Sequence, residues 1–114
     1  MRYLFQNYPG SSVETIEGLS PDEQRKIRDE YLAIAQLPGV LGGAALQPAE
    51  TATTVRVQNG ETLLTDGPFI DAKEHLGGYL VMELENLDAA IEIAARVPAA
   101  RMGGAVEVRP LVER

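Results

Sequence analysis

The feature that most constrains the fold is a short apolar run in the second half of the chain, residues 79–84 (YLVMEL). A strand with one wet face alternates apolar and polar residues, whereas this run places apolar residues on both sides. It therefore predicts a central strand that is covered on at least one side and lines an interface on the other. Because only 5% of the residues are aromatic, the core around it must be mainly aliphatic.

The first half of the chain predicts a strand, a helix and a second strand. Residues 2–8 alternate in polarity and end at a Pro-Gly pair, and the polar residues 11–18 are predicted to form a loop. Ser20, with Glu23 three residues later, predicts a helix start, because each side chain can accept a backbone N–H of the first turn. Residues 40–48 (VLGGAALQP) predict a glycine-interrupted strand. The apolar residues of the helix fall on one stripe: Ile27, Tyr31, Ile34 and Ala35.

A β-hairpin is predicted over residues 53–65. Asn59 and Gly60 lie at its centre, and this pair tolerates the positive φ angles that a two-residue type I′ turn requires. The turn fixes the register and predicts one apolar face that points inward. Two cross-strand pairs make this face: Val57 with Thr62, and Val55 with Leu64.

The second half predicts a helix and a last strand after the central one. Asn86 caps the helix, Pro98 ends it, and residues 105–109 alternate as a strand with one wet face. The resulting order predicts an α+β, ferredoxin-like βαββαβ fold with an inserted β-hairpin and both helices on one face of the sheet. The apolar residues of the second helix are Leu87, Ala90, Ile91, Ala94 and Ala95.

The other face of such a sheet stays bare unless something else covers it. The two-sided apolar strand indicates that this face is covered, and the chain has no third predicted helix to cover it. A second copy is the simplest cover. We therefore predict a homodimer with its sheets packed face to face.

Composition excludes several functional classes. At 114 residues the chain is the size of one domain, and its net charge of −7 opposes attraction to nucleic-acid phosphates. It contains no Cys, which excludes disulfides, thiolate metal sites and cysteine nucleophiles. No signal peptide is recognisable, and no window approaches ~18 consecutive apolar residues. We therefore expect a cytoplasmic protein with neither nucleic acid nor membrane as a partner.

Residues 65–69 (TDGPF), followed by Lys73, Glu74 and residues 77–79 (GGY), resemble the signature of the DGPF branch of the YCII-related proteins. The resemblance covers nearly the whole chain and implies a single domain over residues 1–114. It also implies a dimeric α/β barrel built from ferredoxin-like halves, with a cleft near the dimer interface. Further short motifs in the same order are residues 19–21, 42–43, 46–48, 51–57, 98–101 and 106–110.

The resemblance implies less about activity. Some wider-family members resemble dehalogenating or ring-processing enzymes of aromatic degradation, and others resemble partners encoded near alternative sigma factors. In certain relatives a His near the first helix pairs with an Asp as an acid/base dyad. Here the start of that helix offers Glu23 and Gln24 but no His, so the dyad does not carry over.

Asp66 and Glu74 are the candidate catalytic residues. Asp66 could act in a cleft as a base or ligand anchor, or it could start a turn by accepting backbone N–H groups. Glu74, if held near Asp66, could form an acid/base pair with separated pKa values. Alternatively, Glu74 could form a surface salt bridge with Lys73 or Arg56.

The loop around these carboxylates supplies the candidate ligand-binding residues. Phe69 in this loop is expected to be a core plug rather than a platform for stacking, because large apolar side chains are usually buried. The glycine pairs 42–43 and 77–78 could let the backbone approach a ligand, or could accommodate bulges and close strand packing. The candidates are Gly67, Pro68, Phe69, Gly77 and Gly78.

No metal site and no cofactor are predicted. His75 is the single His, and one His near two acids at arbitrary spacing is a weak metal signal, so we expect an exposed side chain. Two functions stay open. The first is a small-molecule binder or enzyme, with Asp66 and Glu74 performing cofactor-free acid/base chemistry in a cleft roofed by the other subunit. The alternative is a non-catalytic dimeric regulatory or protein-interaction module.

Overall fold

The computed structural model describes residues 1–70 and 74–113. The strands are β1 (Arg2–Tyr8), β2 (Val40–Ala45), β3 (Thr53–Gln58), β4 (Glu61–Asp66), β5 (Gly78–Glu83) and β6 (Ala105–Pro110). The helices are α1 (Ser12–Glu17), α2 (Pro21–Ala35), α3 (Leu87–Arg96) and α4 (Pro98–Arg101), and a short 3-10 turn spans Ala49–Thr51.

Four of the strands form one antiparallel sheet in the order β2-β5-β1-β6. β5 lies inside this sheet, between β1 and β2, as its two-sided apolar sequence predicts. In the register, Tyr3 lies opposite Met82 and Phe5 lies opposite Leu80. This strand order, with the helices α2 and α3 in the two crossovers, confirms the ferredoxin-like α+β fold.

The core lies between one face of the sheet and the helices. Tyr3, Phe5 and Met82 on the sheet are buried against Ala90 and Ala94 of α3. Burying each of the three large side chains stabilises the fold by about 1.5–3 kcal/mol. The two alanines are short, so α3 can approach the strands closely.

The buried face of α3 differs from the predicted one. Ile93 and Val97 turn inward beside the two buried alanines, whereas Leu87 and Ile91 are exposed. Both sets have helical spacing, and the sequence alone does not decide between two overlapping stripes. Contact with the sheet selects the stripe that contains Ile93 and Val97. On α2 the stripe is correct at Tyr31 and Ile34, but Ala35 is exposed.

The predicted loop at residues 11–18 is wrong, because it contains the helix α1. Ser12 is buried, and its N–H donates to the Pro9 carbonyl oxygen over 2.9 Å. The Ser11 N–H donates to the carbonyl oxygen of Gly103, at 3.3 Å. The local bond to Pro9 and the tertiary bond to Gly103 hold a short polar helix that its own sequence would not stabilise alone.

The local signals at the helix starts are confirmed. The Glu23 N–H donates to Ser20 Oγ over 3.2 Å, and the Ser20 N–H donates to Glu23 Oε1 over 3.4 Å, which is the predicted capping box. Asn86 Oδ1 accepts from the Ala89 N–H at 2.9 Å. The second strand ends at Ala45 rather than Pro48.

The hairpin β3–β4 has the predicted turn and register but not the predicted environment. Asn59 and Gly60 have φ angles of 51° and 78°, and Val57 lies opposite Thr62. The hairpin is a separate two-stranded sheet, however, and Val57 and Leu64 are each 68% exposed. Its apolar face therefore does not point into a core of this chain.

The hairpin extends the molecule beyond the size of a compact domain. The radius of gyration is 16.2 Å, whereas a compact chain of this length has about 13 Å. The opposite face of the four-stranded sheet also carries apolar groups, and Tyr79 is 39% exposed there. Within the residues that the structure describes, no helix is long and apolar enough to cross a membrane.

Candidate functional site

A cavity of about 660 Å³ lies between the helical face of the sheet and α2. Phe5 and Leu80 form part of its floor, and Tyr31 and Leu32 form part of the opposite wall. Sites for small molecules have volumes of about 300–1,000 Å³ and mostly apolar walls. The cavity has the size and character of such a site.

The small residues of the edge strand β2 explain why the space is there. The strand reads VLGGAA, so residues Gly42–Ala45 carry at most a methyl group toward α2. The register shifts between Val40 and Gly42, which is the irregularity that the glycine pair predicts. A Cβ on Gly43 would lie 2.4 Å from the Tyr79 carbonyl oxygen, so close strand packing requires glycine at this position.

Gly77 and Gly78 line the same cavity. A Cβ on Gly77 would lie 2.5 Å from Pro9 Cγ, and one on Gly78 would lie 3.0 Å from the Ala44 carbonyl oxygen. The close-packing alternative of the sequence analysis is therefore confirmed at this pair. The absent side chains permit close packing, and the backbone forms part of the cavity wall.

Asn7 also lines the cavity, and sequence reasoning did not single it out. Its side-chain oxygen Oδ1 is buried and has no hydrogen-bond partner among residues 1–70 and 74–113. Most buried polar atoms are paired, so an unpaired one indicates a ligand or water that completes it. The signal was present in the sequence, because Asn7 follows Tyr3 and Phe5 at the inward positions of β1.

Two further polar side chains contribute to the cavity lining. The Tyr31 hydroxyl accepts a hydrogen bond from the Ala99 N–H over 3.2 Å, which ties α2 to α4 and fixes this part of the wall. Arg28 lies one turn earlier on α2 and also lines the cavity. It makes no ion pair within the described part of the chain.

The DGPF turn, defined here as Asp66–Phe69, begins at the last residue of β4 and does not line the cavity. The Gly67 N–H donates to the Ala52 carbonyl oxygen over 2.7 Å. Gly67 has a φ of 96°, which favours glycine. Asp66 is exposed, and none of the hydrogen bonds within residues 1–70 and 74–113 ends on its carboxylate.

The expectation that Phe69 is a core plug is wrong. The side chain is 68% exposed, and the guanidinium carbon of Arg56 lies 5.3 Å from the ring centroid. An exposed cation–π contact of this kind stabilises by about 0.5–1 kcal/mol. Phe69 escapes the usual burial because the turn follows β4 of a hairpin that is not paired with the main sheet.

Glu74 is exposed and lies beside the end of β1, where its Oε1 would be 3.5 Å from a Cβ built on Gly10. Among the described ion pairs, none joins Glu74 to Arg56, and Lys73 lies outside the described residues. His75 is half-buried rather than exposed. No group of three His, Cys, Asp or Glu residues that could hold a metal ion occurs in the part of the chain that the structure describes.

A four-stranded antiparallel sheet, with two helices on one face and an apolar cavity between them, defines the class as a ferredoxin-like α+β protein with a small-molecule-sized cavity. The family model of the YCII-related domain matches residues 1–114. An uncharacterized protein of Rhizobium meliloti (strain 1021) is 35% identical over 118 residues, covering 97% of this chain and 92% of the relative. The chain therefore belongs to the YCII-related family.

A solved structure shares the fold. It is the 5-chloro-2-hydroxyhydroquinone dehydrochlorinase TftG of Burkholderia phenoliruptrix AC1100, in complex with 2,5-dihydroxybenzoquinone. The TM-score is 0.52, and the match covers 100% of this chain and 96% of that one. At 18% sequence identity the likeness concerns the fold alone.

Proposed function

We propose that this protein binds a small ring-shaped metabolite in the cavity between the sheet and α2. The observation that carries the proposal is the buried, unpaired Oδ1 of Asn7 in the wall of an otherwise largely apolar cavity. A ligand hydroxyl would supply the missing donor. TftG, which shares the fold, is in complex with 2,5-dihydroxybenzoquinone, a ring of suitable size with hydroxyl groups.

The energetics favour a ligand with both a ring and polar groups. Burying about 150 Å² of a ring contributes about 4 kcal/mol at ~25 cal/mol per Å². Association costs at least about 4 kcal/mol of translational and rotational freedom. Apolar contact alone therefore gives weak binding, and a directed hydrogen bond at Asn7 is needed to raise the affinity.

Thermal unfolding in the presence of small phenols tests the proposal. We expect 4-hydroxybenzamide, at about ten times its Kd, to add about 1.4 kcal/mol and to raise Tm by several degrees. Ala35→Phe should remove the shift, because Ala35 lines the cavity and is exposed enough to accept the larger side chain.

Ala33→Phe is the matched control for this measurement. Ala33 lies on the same helix and is exposed, but it does not line the cavity. The control should bind like the unaltered protein. Equal Tm shifts in both variants would place the ligand elsewhere, and no shift with any phenol would contradict the proposal.

We further propose that the protein is a homodimer. Two observations support this: the apolar face of the hairpin is exposed, and Tyr79 is exposed on the bare face of the sheet. A second copy could cover both. In such a dimer, the DGPF turn, which follows β4 at the open end of the hairpin, could lie near the other subunit.

Cofactor-free acid/base chemistry is part of the proposal only if the protein forms that dimer. Asp66 and Glu74 do not line the cavity of their own chain, so they could act on its ligand only if a second copy brought them there. We retain them as candidates for proton transfer on that condition. A cytoplasmic location also remains our proposal.

The alternative is a non-catalytic dimeric module with a regulatory or protein-interaction role. The exposed apolar side chains of Val55, Val57 and Leu64 favour it, because such a surface can bind a protein partner. In that case the cavity would bind no small metabolite. The absence of any Tm shift with phenols, together with a stable dimer, is the outcome expected from this alternative.

A further inference from the structure

The cavity lining has a single charge among the residues that the structure describes. That charge belongs to Arg28 on α2, and the remaining lining residues are apolar, small or uncharged. A guanidinium stays protonated at any physiological pH. The cavity therefore presents a permanent positive charge to whatever enters it.

This charge is not neutralised by the protein's own carboxylates within residues 1–70 and 74–113. Neighbouring arginines are paired: Arg25 with Asp22 at 3.4 Å, and Arg101 with Glu30 at 2.7 Å. Arg28 belongs to the same basic segment of α2 as Arg25 but has no described ion pair. Its donors are available to an acceptor that comes from outside.

The net charge of the protein shows why Arg28 matters for an anionic ligand. At −7 the protein repels anions at long range, so an anionic ligand requires a local cation to bind. The planar fork of a guanidinium matches the two oxygens of a carboxylate. Asn7, on the sheet side, needs a donor such as a hydroxyl.

We infer that the ligand of this cavity is a monoanionic hydroxylated ring, with its acidic group bound by Arg28 and a hydroxyl group donating to Asn7. The inference rests on the proposed function and adds the charge and polarity of the ligand. It makes Arg28 the residue that selects anionic over neutral rings.

Two probes of matched shape test it. 4-Hydroxybenzoate carries a carboxylate, and 4-hydroxybenzamide replaces that group by a neutral amide of the same outline. We expect calorimetric titration to give about tenfold tighter binding of the carboxylate, because hydrogen bonds to charged groups are the stronger ones. In Arg28→Gln this preference should disappear, while binding of the amide changes less than about threefold. Arg28→Lys should retain part of the preference.

Arg25→Gln is the control, because Arg25 lies on the same helix but does not line the cavity. It should keep the full preference for the carboxylate. If the amide binds as tightly as the carboxylate, or if Arg25→Gln loses the preference as Arg28→Gln does, the inference fails while the proposed function stands. If neither probe binds, both fail.

Discussion

The Asn7 amide oxygen is buried at the cavity wall without a donor from the described residues. A buried acceptor without a partner destabilises a protein by about 1–3 kcal/mol. We therefore expect Asn7→Leu to raise the free energy of unfolding of the ligand-free protein by about 1 kcal/mol, measured by urea denaturation. The same variant should bind phenols more weakly, because the acceptor is gone.

Asn86→Leu provides the comparison for this variant. The Asn86 oxygen is satisfied, since it accepts from the Ala89 N–H at the start of α3, and its loss should lower stability by about 1 kcal/mol. A similar loss of stability in Asn7→Leu would mean that its oxygen already has a partner. The anchoring role of Asn7 would then be refuted.

For single residues, the sequence predicted cross-strand pairing better than it predicted side-chain burial. The pairing of Val57 with Thr62 was correct, because the two-residue turn alone determines it. The burial of Phe69 was wrong, because burial depends on where the turn lies in the whole molecule. Asn7 was overlooked although its inward position on β1 follows from simple alternation.

The α3 helix is the element whose orientation differed most from the prediction. Ala90 is fully buried and Ala95 is exposed, although the sequence placed both on the inward stripe. We expect Ala90→Leu to lower the free energy of unfolding by about 1–3 kcal/mol through overpacking. Ala95→Leu should change it by less than about 0.5 kcal/mol. Chemical denaturation of the two variants measures the difference, and equal effects would contradict the observed orientation.

Other elements show which signals can be read locally. The capping box at Ser20 was predicted because both of its residues are close in sequence. The helix α1 was not predicted, since its stability depends on hydrogen bonds to the distant Gly103. Elements determined by neighbouring residues were thus recognised, and those determined by tertiary contacts were not.

At the scale of the whole molecule, the exposed hairpin bears on whether two copies assemble into a dimer. If the hairpin's apolar face lies in a homodimer interface, Val57→Lys should weaken the dimer by placing an unpaired charge there. We expect light scattering to give a monomer mass for this variant and a dimer mass for the unaltered protein.

Gln58→Lys is the matched control, because Gln58 is the next residue on β3 and points to the other side of the hairpin. It should remain a dimer, with circular dichroism verifying that both variants are folded. A monomer mass for the unaltered protein at all concentrations would rule out the proposed dimer.

The overall topology could be predicted from the order and periodicity of the elements, because few folds accommodate two βαβ-like halves. The cavity could not be predicted from the order and periodicity of the elements. It arises where the short side chains of β2 face α2, and this pairing is a property of the assembled layers. Of the candidate ligand-binding residues, Gly77 and Gly78 line the cavity, whereas the residues of the DGPF turn do not.

The hairpin Thr53–Asp66 shares no ladder with the four-stranded sheet. An isolated two-stranded ribbon is only marginally stable in water, so in a free protomer it can fray while the main sheet stays closed. If the proposed dimer forms through this hairpin, the lifetime of the folded hairpin sets how quickly two copies associate and dissociate. None of the hairpin residues that the structure describes lines the cavity between the sheet and α2, so fraying of the hairpin would leave that cavity intact.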